Sequence, residues 1–265
     1  MNILDQIIER KKEEVKDRRL NFPPSSLEQE PGFRRKTFSL TAALNEPGAT
    51  GIIAEFKRRS PSKGWINPGA DLQTVAGAYA AKGASGISVL TDTDFFGGQL
   101  QDLEAIRHLQ VPVLRKEFII DPYQLLESKA SGADVILLIA ACLEPGEVKE
   151  LAAITRELGM ESILEIHGEE ELGHICDEVD MIGINNRDLK TFRVDVQASF
   201  HLRKQIDNER ICIAESGLTD VETVVSLKAA GFSGFLMGEH FMKQADPAVA
   251  FAGFVQQLKA FRSTA

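Results

Sequence analysis

Cysteine is scarce: three residues in a chain of 265, Cys142, Cys176 and Cys212, an odd number with no CxxC pair and no metal-like spacing. That excludes a disulfide framework and points to a reducing cytoplasm, with two of the three lying in or beside apolar runs where the thiol acts as a small hydrophobe. Basic charge is also short. Thirty Lys and Arg face 39 Asp and Glu, for a net charge of −9. A nucleic-acid backbone is held by clustered cations, so a broad polyanion surface is excluded and any phosphate must be recognised locally. No apolar run approaches the roughly 20 residues that span a bilayer, and the N-terminus lacks a signal core, so neither membrane insertion nor secretion is expected. Internal repeats, low-complexity tracts, a P-loop, GxGxxG, GxSxG and HExxH are all missing. His167, His174 and His240 have no ligand spacing with each other or with Cys, and no metal is expected.

What the chain does have is 43% hydrophobic and 26% charged residues, enough to bury a core, and eight short apolar runs. They span residues 51–57, 86–92, 111–117, 133–140, 161–168, 180–188, 211–217 and 234–240. Their unbroken centres of Ile, Val and Leu suit strands covered on both faces, as in parallel sheets. Between them lie helical stretches such as 72–81, 122–130, 146–158 and 221–230. Asp121-Pro122 reads as an N-cap and first helical residue, and Gly132, Gly159 and Gly231 stand where helices should stop. Strand then helix, eight times over, predicts a (β/α)8 barrel, and about 250 residues is the usual size of one. A single domain over 1–265 is expected, with residues 1–48 as an N-terminal helical extension. Ile3, Leu4, Ile7, Ile8 and Val15 share one face of an amphipathic helix, and a second short helix at 39–45 is capped by Ser39 or Thr41. Between a cover for the barrel's bottom and a cover for its rim that encloses substrate, the reading favours the second.

Barrel enzymes carry their chemistry where the strands end at the C-terminal rim. Those ends are Glu55 and Lys57, Asp92 and Asp94, Lys116 and Glu117, Glu165 and His167, Asn185 and Arg187, Glu215 and Ser216, Glu239 and His240. Alternation along a strand puts Glu55 and Lys57 on one side and separates Lys116 from Glu117. Lys57 and Lys116 facing one cavity with Glu55 and Glu165 would perturb each other's proton affinities, the arrangement of an acid–base site. Gly217 and Gly238, after the seventh and eighth runs, stand at the fold's usual phosphate site, next to helix N-termini. Phe96 and Phe118 either line an apolar pocket or pack between helices. Two other readings fit the same residues: a Schiff-base aldolase using a rim lysine, and a phosphate-binding barrel without catalysis.

Five ordered motifs, AEFKRRSPSKG (54–64), LRKEFIID (114–121), LEIH (164–167), IGINNRDL (182–189) and AESG (214–217), resemble the indole-3-glycerol phosphate synthase family. The resemblance covers essentially the whole chain. It implies a decarboxylating lyase that closes 1-(2-carboxyphenylamino)-1-deoxyribulose 5-phosphate to indole-3-glycerol phosphate in tryptophan biosynthesis, without cofactor, and in possible association with other enzymes of that pathway. On the matching positions, Lys116 resembles the general acid of ring closure and Glu165 the acid–base group of dehydration. Lys57 resembles their partner near phosphate and carbonyl, with Glu55 and Asn185 as positioning groups. Ser60 and Arg187 resemble substrate contacts, Phe96, Phe118 and Leu137 the pocket walls, and Ser216, Gly217, Gly238 and Glu239 the phosphate loops. Two positions depart from the usual family residues. Glu239 stands where Ser is common, so its carboxylate is expected to point away from phosphate, and Glu117 stands where Asp is common.

Overall fold

The computed structural model describes residues 3–188 and 191–264. Leu189, the end of the fourth motif, lies outside the described residues. Eight strands form a closed parallel barrel: β1 (Ile52–Phe56), β2 (Gly86–Leu90), β3 (Val113–Lys116), β4 (Val135–Ile139), β5 (Glu161–Ile166), β6 (Met181–Asn185), β7 (Ile211–Glu215) and β8 (Gly234–Met237). Each pairs with its sequence neighbours, and β8 closes on β1. The strands stop short of the apolar runs in the sequence because the polar residues ending each run leave the ladder at the rim.

Three helices precede the barrel: α1 (Ile3–Asn21), α2 (Pro24–Leu27) and α3 (Leu40–Asn45). The outer ring comprises α4 (Leu72–Ala81), α5 (Gln101–Ile106), α6 (Pro122–Ser131), α7 (Pro145–Glu157), α8 (Gln197–Arg203) and α9 (Val221–Ala229), with α10 (Glu239–Met242) and α11 (Pro247–Thr264) after β8. The expected punctuation is present. Asp121 caps α6 in a reciprocal capping box with Gln124, and Gly132 ends it in the left-handed region at φ 93°. One expected helix is missing: after β5 the connection is a 3₁₀ stretch, Glu169–His174. Three consecutive glutamates and Gly173 give that short segment poor helical propensity and mutual repulsion.

Two cores follow from strand alternation. Ile52, Ala54, Phe56, Val89 and Leu138 face the helices, whereas Ile53, Leu114, Val135, Leu137, Ile163, Met181 and Ile213 fill the barrel. The barrel's lower end is closed by α3, whose Leu40 and Leu44 join that inner cluster. Burying each stabilises by roughly 1.5–3 kcal/mol. Ser39 caps α3 by accepting from the Ala42 N–H, and Glu161 at the start of β5 accepts from the amides of Leu40 and Thr41 at 2.7 and 3.0 Å. The extension therefore plugs the bottom. No residue of 3–50 lines the cavity at the rim, which corrects the expectation that the extension encloses substrate.

Instead α1 braces the rim from outside. Lys11 is 2% exposed, with its ammonium 2.7 Å from Glu14, 3.1 Å from Asp92 and 3.1 Å from Glu117. Glu117 points away from the cavity interior into this cluster, as its alternation with Lys116 requires, and also accepts from Thr91 at 2.7 Å. A carboxylate at this position holds a lysine from outside the barrel.

Candidate active site

Strand register sets the geometry of the mouth. Glu165 stands level with Gly183 on β6, Asn185 with Glu215 on β7, and Leu90 with Lys116. A cavity of about 500 Å³ opens there, between the rim loops. Glu55, Lys57, Ser60, Phe96, Lys116, Phe118, Leu137, Glu165, Asn185, Arg187, Ser216, Gly217, Gly238 and Glu239 all line it. Sequence reasoning places Glu215 and His167 among the strand ends but gives neither a role in the acid–base set, although the alternation of Glu215 with Ile213 aims it inward.

At the centre stands Lys116. Its ammonium donates to Glu165 Oε2 in a very short contact and to Glu215 Oε2 at 2.9 Å. Burial alone would release its proton, but the carboxylates of Glu165, Glu215 and Glu55 outweigh burial and raise its proton affinity, so it is an ammonium at neutral pH. Glu165 is buried as well. Burial pushes its carboxyl up, yet the charges of Lys116 and His167 hold it well below the ordinary value. Asn185 Nδ2 donates to Glu165 Oε1 at 3.1 Å, and Asn185 Oδ1 accepts from the Arg187 amide at 3.0 Å. Glu215 goes the other way: burial, helped by the negative charge of Glu165 and opposed by Lys116, pushes it up to about 7. One lysine thus faces a carboxylate and a carboxyl group that titrates near neutrality, the pairing that separates acid from base.

Gly183 makes this packing possible. A Cβ there would lie 2.4 Å from Glu215 Oε1 and 3.0 Å from the Ile163 side chain, so a side chain at this position would displace the Glu215 carboxyl from its present place. Across the mouth, Lys57 pairs with Glu55 at 2.7 Å. Phe96 and Phe118 form the apolar wall, with ring centroids 6.1 Å apart, which resolves their role in favour of the pocket. Asp92 anchors that wall from behind by accepting from the amides of Phe95 and Phe96 at 2.7 and 3.2 Å.

The opposite rim is made by the β7 and β8 loops. Ser216 and Gly217 both take positive φ, 66° and 76°. Two left-handed residues in succession turn the backbone sharply at the cavity edge, and the first is a non-glycine held in a strained conformation, as is common at binding sites. Glu239 opens α10. Its carboxylate accepts from Lys63 at 2.5 Å and lies 3.6 Å from Arg187. Burial opposes its ionisation, but Lys63, Lys57 and Arg187 lower its proton affinity overall. The side chain is thus a neutralised bridge from the 54–64 loop to the β8 loop. Among the described residues no group of three or more His, Cys, Asp or Glu is placed to hold a metal, and no helix is long and apolar enough to cross a membrane.

A parallel barrel with a buried ammonium between two acids, an aromatic wall and glycine-bearing loops after β7 and β8 defines a (β/α)8 barrel equipped for acid–base chemistry at its rim. Comparison with known proteins supplies the family: the model described as indole-3-glycerol phosphate synthase matches residues 4–254. The chain belongs to that family, whose members are decarboxylating carbon–carbon lyases of tryptophan biosynthesis. The indole-3-glycerol phosphate synthase of Bacteroides thetaiotaomicron is 46% identical over 97% of this chain and 99% of its own. That of Salinibacter ruber is 44% identical over 95% and 94%. Among solved structures, a chain of the Pyrococcus furiosus tryptophan synthase a2b2 complex superposes with a TM-score of 0.58 at 20% identity, covering 79% of this chain and 98% of its own, a likeness of fold alone.

Proposed function

We propose that the cavity performs the family's ring closure with the following division of labour. The Lys116 ammonium protonates the carbonyl oxygen of 1-(2-carboxyphenylamino)-1-deoxyribulose 5-phosphate as the ring carbon attacks. The C–C bond to the carboxylate then breaks, its electron pair flowing into the protonated imine formed by closure while carbon dioxide leaves. This internal electron sink is why the reaction calls for no cofactor. Glu165 moves the proton in the dehydration that follows, and Lys57 stands by the phosphate and carbonyl. Glu55 and Asn185 hold the lysines and the substrate hydroxyls. Arg187 faces the anthranilate carboxylate, Ser60 contacts substrate, and Phe96, Phe118 and Leu137 enclose the ring. Ser216, Gly217, Gly238 and the backbone of Glu239 receive the phosphate.

The observation that carries this reading is the Lys116 ammonium held between Glu165 and Glu215. A Schiff-base aldolase needs the opposite, a lysine whose proton affinity is depressed so that the free amine attacks. Mixing the protein with the anilino-ribulose phosphate should produce indole fluorescence, and Lys116→Ala should nearly abolish turnover while substrate still binds. Near-normal turnover by that variant, or a borohydride-trapped adduct on Lys116 or Lys57, would overturn the assignment.

We place the whole chain in one domain, since the extension contributes Leu40 and Leu44 to the barrel's own core. The reading also places it in the cytoplasm, where three cysteines without pairing spacing remain thiols. Other enzymes of tryptophan biosynthesis are its expected partners, which co-sedimentation with them would test.

A further inference from the structure

His167 follows directly on β5, two residues past Glu165, so alternation carries its ring to the same side one step higher. The ring lies between two carboxylates. Nε2 is 3.2 Å from Glu165 Oε1, a charge contact out of line for a hydrogen bond, and Nδ1 is 3.2 Å from Glu171 Oε2. The same Glu171 oxygen accepts from the His167 amide at 2.6 Å, fixing the ring's backbone as well as its edge. The side chain is 13% exposed, and the residue is absent from the cavity lining. With an anionic oxygen at each nitrogen, a neutral ring would turn a lone pair on one of them, so the geometry calls for the imidazolium.

We propose that His167 is a positioning residue for Glu165, an imidazolium braced by Glu171 that fixes Oε1 alongside Asn185, leaves Oε2 to Lys116, and sets a second positive charge beside the carboxylate. This rests on the reading of Glu165 as the acid–base group. Electrostatics agrees with the geometry: burial disfavours the charged ring, but Glu165 and Glu171 together raise its pKa to about 10. The groups facing Glu165 are Lys116 from β3, Asn185 from β6, and His167 from its own strand, with the Glu215 carboxyl of β7 nearby and protonated over the acid range. Glu165 also acts across a longer range on the Cys142 thiol. Removing the imidazolium therefore leaves Lys116 as the one cation in contact among the described residues, and Glu165 should take up a proton at higher pH.

The test is the pH profile of kcat at saturating anilino-ribulose phosphate. In His167→Gln, which keeps a neutral donor, the acid limb should move up by about one pH unit or more, the effect of one nearby opposite charge, while KM changes little. Glu171→Gln leaves the ring in place and removes its brace, so it should shift the limb the same way by less. Thermal melting of both variants reports folding separately. A reduced kcat with the acid limb unmoved in both would mean a structural role and would overturn the proposal. The two levels of inference separate cleanly: a wild-type protein without turnover removes the reading of Glu165, whereas an active wild type whose limb both variants share removes only the role of His167.

Discussion

Glu215 offers a quantitative test of the site's electrostatics. It is 1% exposed, one of its oxygens accepts from Lys116, and the other has no hydrogen-bond partner. Burial, aided by Glu165, raises its pKa from 4.5 to about 7. Below pH 4.5 the group is protonated whether the chain is folded or not. Between pH 4.5 and 7 the unfolded chain ionises while the folded one holds its proton, so stability is lost as pH rises. Above pH 7 both states are ionised and the loss is complete. At about 1.4 kcal/mol per pH unit the rise corresponds to roughly 3 kcal/mol. Glu215→Gln keeps the shape and abolishes the titration. Urea unfolding of both proteins should therefore show the stability difference moving toward the variant by about 3 kcal/mol between pH 4.5 and pH 8. A difference that stays constant within about 0.5 kcal/mol across that range would refute the electrostatic account. Turnover offers a second readout. As Glu215 ionises, Lys116 holds its proton more tightly and becomes a poorer acid, so kcat should decline through about pH 7 in the wild type, a limb the variant should lack.

Two further substitutions probe the supports of the site. Lys11→Met removes the cation that joins buried Asp92 and Glu117, leaving Glu117 only Arg115 at 3.7 Å, and should cost about 3–5 kcal/mol in denaturant unfolding; an unchanged midpoint would show that α1 is not a brace. Glu239→Ser removes a carboxylate from the phosphate loop and frees its partner Lys63 for a dianionic phosphate, so KM should fall, by up to about tenfold for 1.4 kcal/mol of relieved competition, and inorganic phosphate should become a stronger inhibitor. A higher KM would instead mark the Lys63–Glu239 bridge as part of the competent mouth.

Legibility differed by level. Strand alternation was a local property, so it could be read without coordinates that Glu55 and Lys57 share a side and that Glu117 turns away from Lys116. The caps at Asp121, Ser39 and Gly132 were equally local. The missing helix after β5 was less accessible, because a run of glutamates is compatible with helix when spaced by apolar residues and incompatible when crowded into a few positions. The destination of the N-terminal extension was not legible at all. An amphipathic helix declares that one face is buried, and nothing in its pattern names the surface that covers it.

Sequence by itself determined the alternating strand–helix order, the side of each strand on which a polar residue stands, and the family, because these follow from local periodicity and from motifs in fixed order. Tertiary structure alone decided which charges meet. Barrel closure and register bring Lys116 of β3 between Glu165 of β5 and Glu215 of β7, and Glu215 onto the bare backbone of Gly183. Proton affinity depends on distances of a few ångströms and on burial, neither of which is a property of one strand. That is why two glutamates of the same chemistry, one lowered and one raised toward neutrality, could be told apart only after the chain had folded.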